Sequence, residues 1–197
     1  MIDKWLEPIY NLYGGYGYYY LQSGVPNVVI WVLQITVIGT FIVWAFYDRN
    51  NFIKKAIILL LADYILFLFC STIIFRTGSA ETGWRLMPFW KYREIVNGYD
   101  QYVMEIILNI LVFIPIGFLA GCLWYGKDFK KVIGLGLVVS LVIELGQLVF
   151  EKGLAEIDDL IHNTLGCAIG YLIAIPIAWI YNRVTKKKIQ MLKENKI

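Results

Sequence analysis

The sequence is poor in charged residues, histidine and cysteine, and each scarcity excludes a class of protein. Charged residues make up 17% of the 197 positions and hydrophobic residues 59%. A soluble domain of this size could not cover so much apolar surface with so few charges. Cys70, Cys122 and Cys167 each lie in an apolar stretch and form no CxxC pair, which argues against a disulfide framework or a zinc site. No phosphate-binding glycine loop, HExxH zinc motif or nucleic-acid motif is present, so we predict no cofactor, no metal and no nucleic-acid partner.

Long apolar runs dominate the chain instead. They cover residues 27–47, 52–75, 103–124, 132–150 and 160–181. Each can cross a hydrocarbon core of about 30 Å at about 1.5 Å per helical residue. These runs predict an all-α polytopic membrane bundle of about five transmembrane helices. Placing the N-terminus outside puts twelve of the eighteen basic residues on inner segments, which favours a cytoplasmic C-terminus.

This topology divides the chain into five segments with different predicted roles. They are a tyrosine-rich interfacial segment (1–26), the first two transmembrane helices (27–75), an outer aromatic and basic loop (76–102), a three-helix core (103–181) and a basic cytoplasmic tail (182–197). A loop as long as 76–102 in a small protein is often functional. Its aromatic and basic side chains suit a phosphate-bearing headgroup at the interface, although simple anchoring in the membrane surface explains them equally well.

Polar residues in the fourth run follow a helical spacing. Ser140, Glu144, Gln147 and Glu151 are separated by 4, 3 and 4 positions, which places them on one face of a helix. Glu144 lies well inside the apolar run. A carboxylate there must be protonated, paired or turned toward a wet cavity, because a bare charge in hydrocarbon is costly.

The fifth run repeats that spacing with Asp159, Asn163, Gly166 and Gly170, so one face begins polar and becomes glycine. Such glycines permit the backbone of a neighbouring helix to approach closely.

The third run begins with Glu105 and Asn109 at positions i and i+4. In the predicted topology all three runs bring polar groups to the outer half of the membrane. We expect them to form a polar cup that opens to the outside. The predicted ligand-binding residues are Asn109, Glu144, Gln147, Asp158, Asp159, Asn163, Arg85 and Arg93.

Two further patterns in this region have both a functional and a simpler interpretation. His162, the only histidine, follows Asp158 by four residues; a rim histidine capped by Asp158 is favoured over a catalytic one. Carboxylates at Glu144, Asp158 and Asp159 are of a type that holds a metal. The same groups can equally recognise a cationic or hydroxyl-rich headgroup, and we predict no metal.

Four segments of the sequence resemble the VanZ-like family. Asn109-Ile-Leu-Val-Phe-Ile-Pro-Ile-Gly117 resembles its N-x-x-x-F-x-P-x-G signature, and Ser140-x-x-x-Glu144-x-x-Gln147 resembles its second. Ile157-Asp158-Asp159-Leu160-x-x-Asn163-Thr164-x-Gly166-x-x-x-Gly170 resembles its third. Upstream, Leu86-Met87-Pro88-Phe89 resembles the N-L-x-P-F segment that often precedes them. The resemblance covers residues 84–180.

The resemblance implies a small multi-pass protein of the bacterial cytoplasmic membrane, from a family with a member linked to low-level resistance to the glycopeptide antibiotic teicoplanin. It implies no reaction. Many members carry an Arg shortly before the Asp pair, whereas this chain has residues 153–156 (Gly-Leu-Ala-Glu) there and Lys152 as the nearest base. We therefore expect the acidic cluster to be more negative here than in the family pattern.

Three functions fit these features. The favoured one is recognition of an outer-leaflet amphiphile, either a lipoglycopeptide antibiotic or a lipid-linked cell-wall precursor, with Arg85 or Arg93 meeting phosphate. The second is an intramembrane enzyme acting on a lipid-linked envelope substrate, with Glu144, Asp158 or Asp159 as acid–base or metal-binding groups. The third is a small transporter or assembly partner. The expected partners are lipid or an amphiphilic antibiotic, and self-association of the chain is left open.

Overall fold

The computed structural model describes residues 38–39, 52–74, 76 and 82–194, with side chains as far as Val184. The chain divides into two compact units, Met1–Asp48 and Arg49–Ile197, and the account below concerns the second. The tyrosine-rich segment 1–26 lies outside the described residues. So does the first predicted span, apart from Ile38 and Gly39.

Helices account for most of the second unit. In chain order its elements are α1 (Phe52–Phe69, continued by a π-helical segment Cys70–Ile74), β1 (Gly83–Arg85), α2 (Trp90–Val96), α3 (Gln101–Leu123), α4 (Phe129–Val149), β2 (Leu154–Glu156) and α5 (Ile157–Glu194). The last helix therefore continues well beyond position 181, where the sequence predicts its span to end.

Four helices in the described part of the chain are long and apolar enough to cross a membrane. They are Phe52–Ile74, Gln101–Leu123, Phe129–Val149 and Ile157–Val184. Large apolar side chains such as Leu111, Val138 and Leu172 are more than half exposed on these helices. This is the pattern of a bundle whose outer surface faces lipid tails rather than water. The predicted all-α membrane bundle is confirmed, and with it four of the five predicted spans.

Helices α3 and α5 touch backbone to backbone through glycine. A Cβ atom added at Gly117 would lie 1.9 Å from the Cys167 carbonyl oxygen, and one added at Gly166 would lie 2.1 Å from that of Ile110. At Gly170 the Ile114 carbonyl oxygen would be 2.0 Å away. No other residue type fits these positions without moving a helix. The close approach fixes the position of the polar start of α5 relative to the start of α3.

Helix α4 packs against both α5 and the π-helical segment Cys70–Ile74 that ends α1. A Cβ at Gly136 would lie 2.7 Å from the Cys167 Sγ, and one at Gly146 would lie 2.3 Å from the Cδ1 of Ile73. The core between the helices is apolar and buried, and includes Leu61, Leu68, Phe113, Ile116, Ala120, Val132, Val139, Ile143, Cys167 and Tyr171. This packing holds α3, α4 and α5 together at the level where their polar residues begin.

A short parallel strand pair joins two loops that are distant in sequence. β1 pairs with β2 in the register Gly83 with Leu154 and Arg85 with Glu156. Gly83 has a φ of 144°, a backbone conformation that side-chain-bearing residues rarely adopt. The pair fixes the outer loop beside the start of α5, and the sequence pattern does not predict it.

Candidate functional site

Asp158 holds the outer loop on the start of α5. Its side chain is fully buried, and its two carboxylate oxygens accept hydrogen bonds from the backbone amides of Phe89 and Lys91. Phe89 has a φ of 62°, which turns the chain into α2. Both amides lie at the beginning of a helix, where donors lack partners within the helix, and a carboxylate satisfies them well. Asp158 therefore positions the loop.

Lys91, on the side of α2 that faces the bundle, is the cation of the site. Its side chain is 2% exposed. The Nζ atom donates a hydrogen bond to Oδ1 of Asp159 and lies 3.1 Å from Oε2 of Glu156 and 3.3 Å from Oε2 of Glu105. These three carboxylates come from α5, β2 and α3. One ammonium group thus connects the loop to two membrane helices and a strand.

The electrostatics of the cluster follow from this crowding. Burial alone would lower the pKa of the Lys91 ammonium, but Asp159, Glu156 and Glu105 together outweigh it and hold the pKa above its ordinary value. Burial raises the pKa of the Glu156 carboxyl, and neighbouring Asp159 raises it further, whereas Lys91 and Arg85 act in the opposite direction. Lys91 therefore stays protonated at neutral pH, while the pKa of Glu156 stays above its ordinary value despite its cationic neighbours.

Helix α4 contributes a buried polar stripe below this cluster. Glu144 is 6% exposed, and its Oε2 accepts a 2.9 Å hydrogen bond from the backbone amide of Glu156. One turn deeper, the Asn163 amide donates a 2.9 Å hydrogen bond to the Ser140 hydroxyl. Gln147 is buried on the same helix, one turn nearer its C-terminal end than Glu144. The polar stripes of α4 and α5 thus face each other.

The third helix meets the site at its rim. Glu105 reaches Lys91, although its side chain is 44% exposed. Asn109 follows one turn deeper on α3 and is half-buried. Glu105 therefore connects α3 to the start of α5 through the Lys91 ammonium.

His162 has a different partner from the one that its spacing predicts. Its Nε2 lies 2.9 Å from the Tyr92 hydroxyl on α2, whereas both oxygens of Asp158 are occupied by loop amides. The ring is 1% exposed, and its Nδ1 has no hydrogen-bond partner among the described residues. The histidine thus forms a second connection between α5 and the loop.

The two predicted arginines have different surroundings. The Arg85 guanidinium lies 4.0 Å from the centroid of the Trp90 ring, and its Nη1 is 3.9 Å from Oε1 of Glu156. Arg85 therefore borders the cluster. Arg93 is exposed on α2. Of the two, Arg93 is the more exposed, since the Arg85 side chain is 33% exposed and is stacked on Trp90.

The predicted ligand-binding residues omit the cation and two of the acids of this site. Lys91, Glu105 and Glu156 were not among them, and Lys152, the base nearest in sequence to the acidic cluster, is absent from the ion pairs of the described residues. A signal was available, because several carboxylates at a membrane surface require a cation nearby. The basic residues of the outer loop were the candidates for that role.

The cluster carries more acidic groups than basic ones. Among the described residues, the carboxyl groups of Glu105, Glu156 and Asp159 lie beside Lys91, Arg85 lies beside Glu156, and Glu144 is bonded to the Glu156 backbone amide. Chemically, such a site accepts hydrogen bonds and attracts positive charge. Among the described residues, no group of three or more His, Cys, Asp and Glu side chains is arranged to hold a metal ion.

Comparison with known proteins places these residues in a family. The VanZ/LLP1 family profile matches residues 52–181, which include the first three described membrane spans, most of the fourth, and the whole charged cluster. Protein VanZ of Enterococcus faecium is 36% identical over 66 residues, a match that covers 34% of this chain and 41% of that protein, so the aligned region spans less than half of its length. No solved structure matches the chain. The chain therefore belongs to the VanZ/LLP1 family, and it is a multi-pass membrane protein, consistent with the bacterial cytoplasmic membrane.

Proposed function

We propose that this protein recognises an outer-leaflet amphiphile and thereby contributes to glycopeptide resistance. The ligand would be a lipoglycopeptide antibiotic such as teicoplanin or a lipid-linked cell-wall precursor. The observation that carries the proposal is the surplus of carboxyl groups gathered around Lys91 at the outer mouth of α3 and α5 in the predicted orientation. Membership of the VanZ/LLP1 family and similarity to Protein VanZ support it.

The exposed part of the cluster would make the first contact with the ligand. The side chains of Glu105 and Asp159 are 44% and 20% exposed, whereas that of Glu156 is 11% exposed. Because their counter-charge is shared with other carboxylates, Glu105 and Asp159 can still accept hydrogen bonds from ammonium or hydroxyl groups of a headgroup. The buried polar groups Gln147 and Asn163 would accept or donate further bonds if the loop moved.

Among the predicted basic contacts, Arg93 is the one placed to meet a ligand phosphate. Its side chain is exposed, whereas Arg85 is stacked on Trp90 and close to Glu156. We therefore assign Arg93 the phosphate contact and Arg85 a role in holding the loop.

An enzymatic role on a lipid-linked substrate has less support. Both oxygens of Asp158 accept backbone amides, so Asp158 has a positioning role rather than that of a general base. Glu144 is buried and bonded to the Glu156 amide. Among the described residues, no nucleophilic side chain is hydrogen-bonded to Asp158 or Glu144. Recognition of a headgroup requires only hydrogen-bond acceptors, and the carboxyl groups of the cluster supply them.

The test compares Asp159→Asn and Glu105→Gln with the control Asp100→Asn. Asp100 lies on the same loop, and its side chain makes no capping hydrogen bond to α3, so the control removes the same charge outside the cluster. We expect both cluster variants to weaken binding of fluorescent teicoplanin, or of lipid-linked precursor, to the purified chain in nanodiscs. The minimal inhibitory concentration of teicoplanin in a susceptible host should fall in parallel.

Two outcomes would contradict the proposal. If the cluster variants and the control bind the ligand equally well, the charged cluster does not take part in recognition. Binding that persists in the cluster variants while protection is lost would favour catalysis or transport. Elution of each variant as a folded species in detergent is required for either comparison.

A further inference from the structure

The outer loop exposes an unbroken run of apolar residues. Leu86, Met87 and Phe89 are 64%, 61% and 58% exposed, and Pro88 between them is exposed as well. Trp84, two residues earlier, is 60% exposed. Soluble loops rarely present four consecutive apolar side chains to water, and an exposed patch of this kind usually marks a binding surface.

The contacts of the loop place this run at the membrane surface. The Phe89 amide is bonded to Asp158, the second residue of the membrane helix α5. Trp84 belongs to β1, which pairs with the strand that leads directly into α5. The run is therefore held within a few residues of the point where a span enters the membrane, and it cannot project far into water.

We infer that Trp84, Leu86, Met87 and Phe89, the apolar patch, insert into the boundary between headgroups and acyl chains of the leaflet on their own side of the membrane. Lipid is the occupant that the observations favour, because the patch is bonded to the start of a span whose apolar side chains, such as Leu172, are themselves exposed. The exposed Arg93 on the adjoining helix suits lipid phosphate. Tryptophan and other apolar side chains at this depth are typical of membrane interfaces.

The insertion goes beyond the proposed function, since it requires no amphiphile in the charged cluster. It gives the loop two attachments of different kinds. Its inner side is held by buried charges, through Lys91 and Asp158, and its outer side is held by lipid. The two attachments can therefore be tested separately.

The experiment places an environment-sensitive NBD label on the full chain in vesicles of phosphatidylcholine and phosphatidylglycerol. Met87→Cys and Leu86→Cys are the reporters, and Asp100→Cys is the control on the same loop. The unsubstituted chain, labelled in parallel, measures the contribution of its own cysteines. We expect blue-shifted emission at the two reporters, strong quenching by lipids that carry a nitroxide near the headgroup, and iodide quenching several-fold weaker than at position 100.

Iodide quenching at Met87 and Leu86 as strong as at Asp100 would place the patch in water and overturn the inference. Reporters shielded from iodide and from nitroxide lipids alike would show a protein cover, such as a second copy of the chain, and would overturn it as well. Neither result bears on teicoplanin binding, so failure of this inference is distinguishable from failure of the proposed function.

Discussion

The most informative single substitution is Lys91→Met, which removes the ammonium and keeps much of the side-chain volume. Lys91 is 2% exposed and lies within ion-pair distance of Glu105, Glu156 and Asp159. The variant leaves these carboxylates facing one another without their common counter-charge. We expect it to loosen the outer loop from α3 and α5 and to lower the free energy of unfolding.

The size of the effect depends on how far each carboxylate is buried. Breaking a buried ion pair by removing one partner costs about 3–5 kcal/mol. The pair with Glu105 adds little to this, because that side chain is 44% exposed and water screens it. Asp159, which accepts a hydrogen bond from the ammonium and is 20% exposed, and Glu156, at 11% exposure, carry most of the cost. We therefore expect a loss of about 3 kcal/mol.

The assay is reversible unfolding in mixed detergent micelles, followed by tryptophan fluorescence, and the matched control is Lys131→Met. Lys131 pairs with Asp128 at 3.0 Å, but the two side chains are 62% and 44% exposed. The control should therefore change the free energy of unfolding by no more than about 0.5 kcal/mol. Adding Glu156→Gln to Lys91→Met should recover part of the loss, since one unpaired charge is then removed.

Equal losses for Lys91→Met and Lys131→Met would refute this reasoning, because burial would then have no influence on the pair. A double variant whose loss equals the sum of the two single losses would also refute it. That result would show that Lys91 and Glu156 are not coupled in the folded protein.

Two further predictions concern the elements that position the site, and each has a matched control in the same unfolding assay. Gly166→Ala should lower the free energy of unfolding by about 3 kcal/mol or more, because its Cβ would lie 2.1 Å from the Ile110 carbonyl oxygen. Its control, Gly134→Ala, has nothing within 4 Å and should be neutral or stabilising by up to about 1 kcal/mol. Similar losses for the two variants would exclude backbone contact between α3 and α5. Asp158→Ala should lower the free energy of unfolding by about 1–3 kcal/mol for each of the two loop amides left without an acceptor. Its control, Asp100→Ala, loses no capping bond and should change the free energy of unfolding by no more than about 0.5 kcal/mol. An Asp158 variant as stable as the Asp100 control would show that other contacts hold the loop.

The helices and their polar faces could be predicted from the sequence because both depend on local periodicity. The runs at 52–75, 103–124, 132–150 and 160–181 correspond to described helices. Residues four apart on a helix must share a face, which is why the stripe of α4 and the start of α5 could be assigned before any contact was known. The first predicted span, 27–47, and the boundaries of the predicted segments remain predictions.

Charge partners and strand pairing were decided only by the tertiary structure. Lys91 and Asp159 are 68 residues apart, and the amide of Lys91 is 67 residues from the Asp158 carboxylate that accepts its hydrogen bond. No local pattern specifies which of several loop cations will be buried among the carboxylates. The glycine contact between α3 and α5 and the pairing of β1 with β2 bring these groups together. The sequence by itself determined which residues could form a polar site at the membrane surface, because helical periodicity is local. The fold decided that Lys91 would lie at the centre of that site, because ion pairing depends on distance in space.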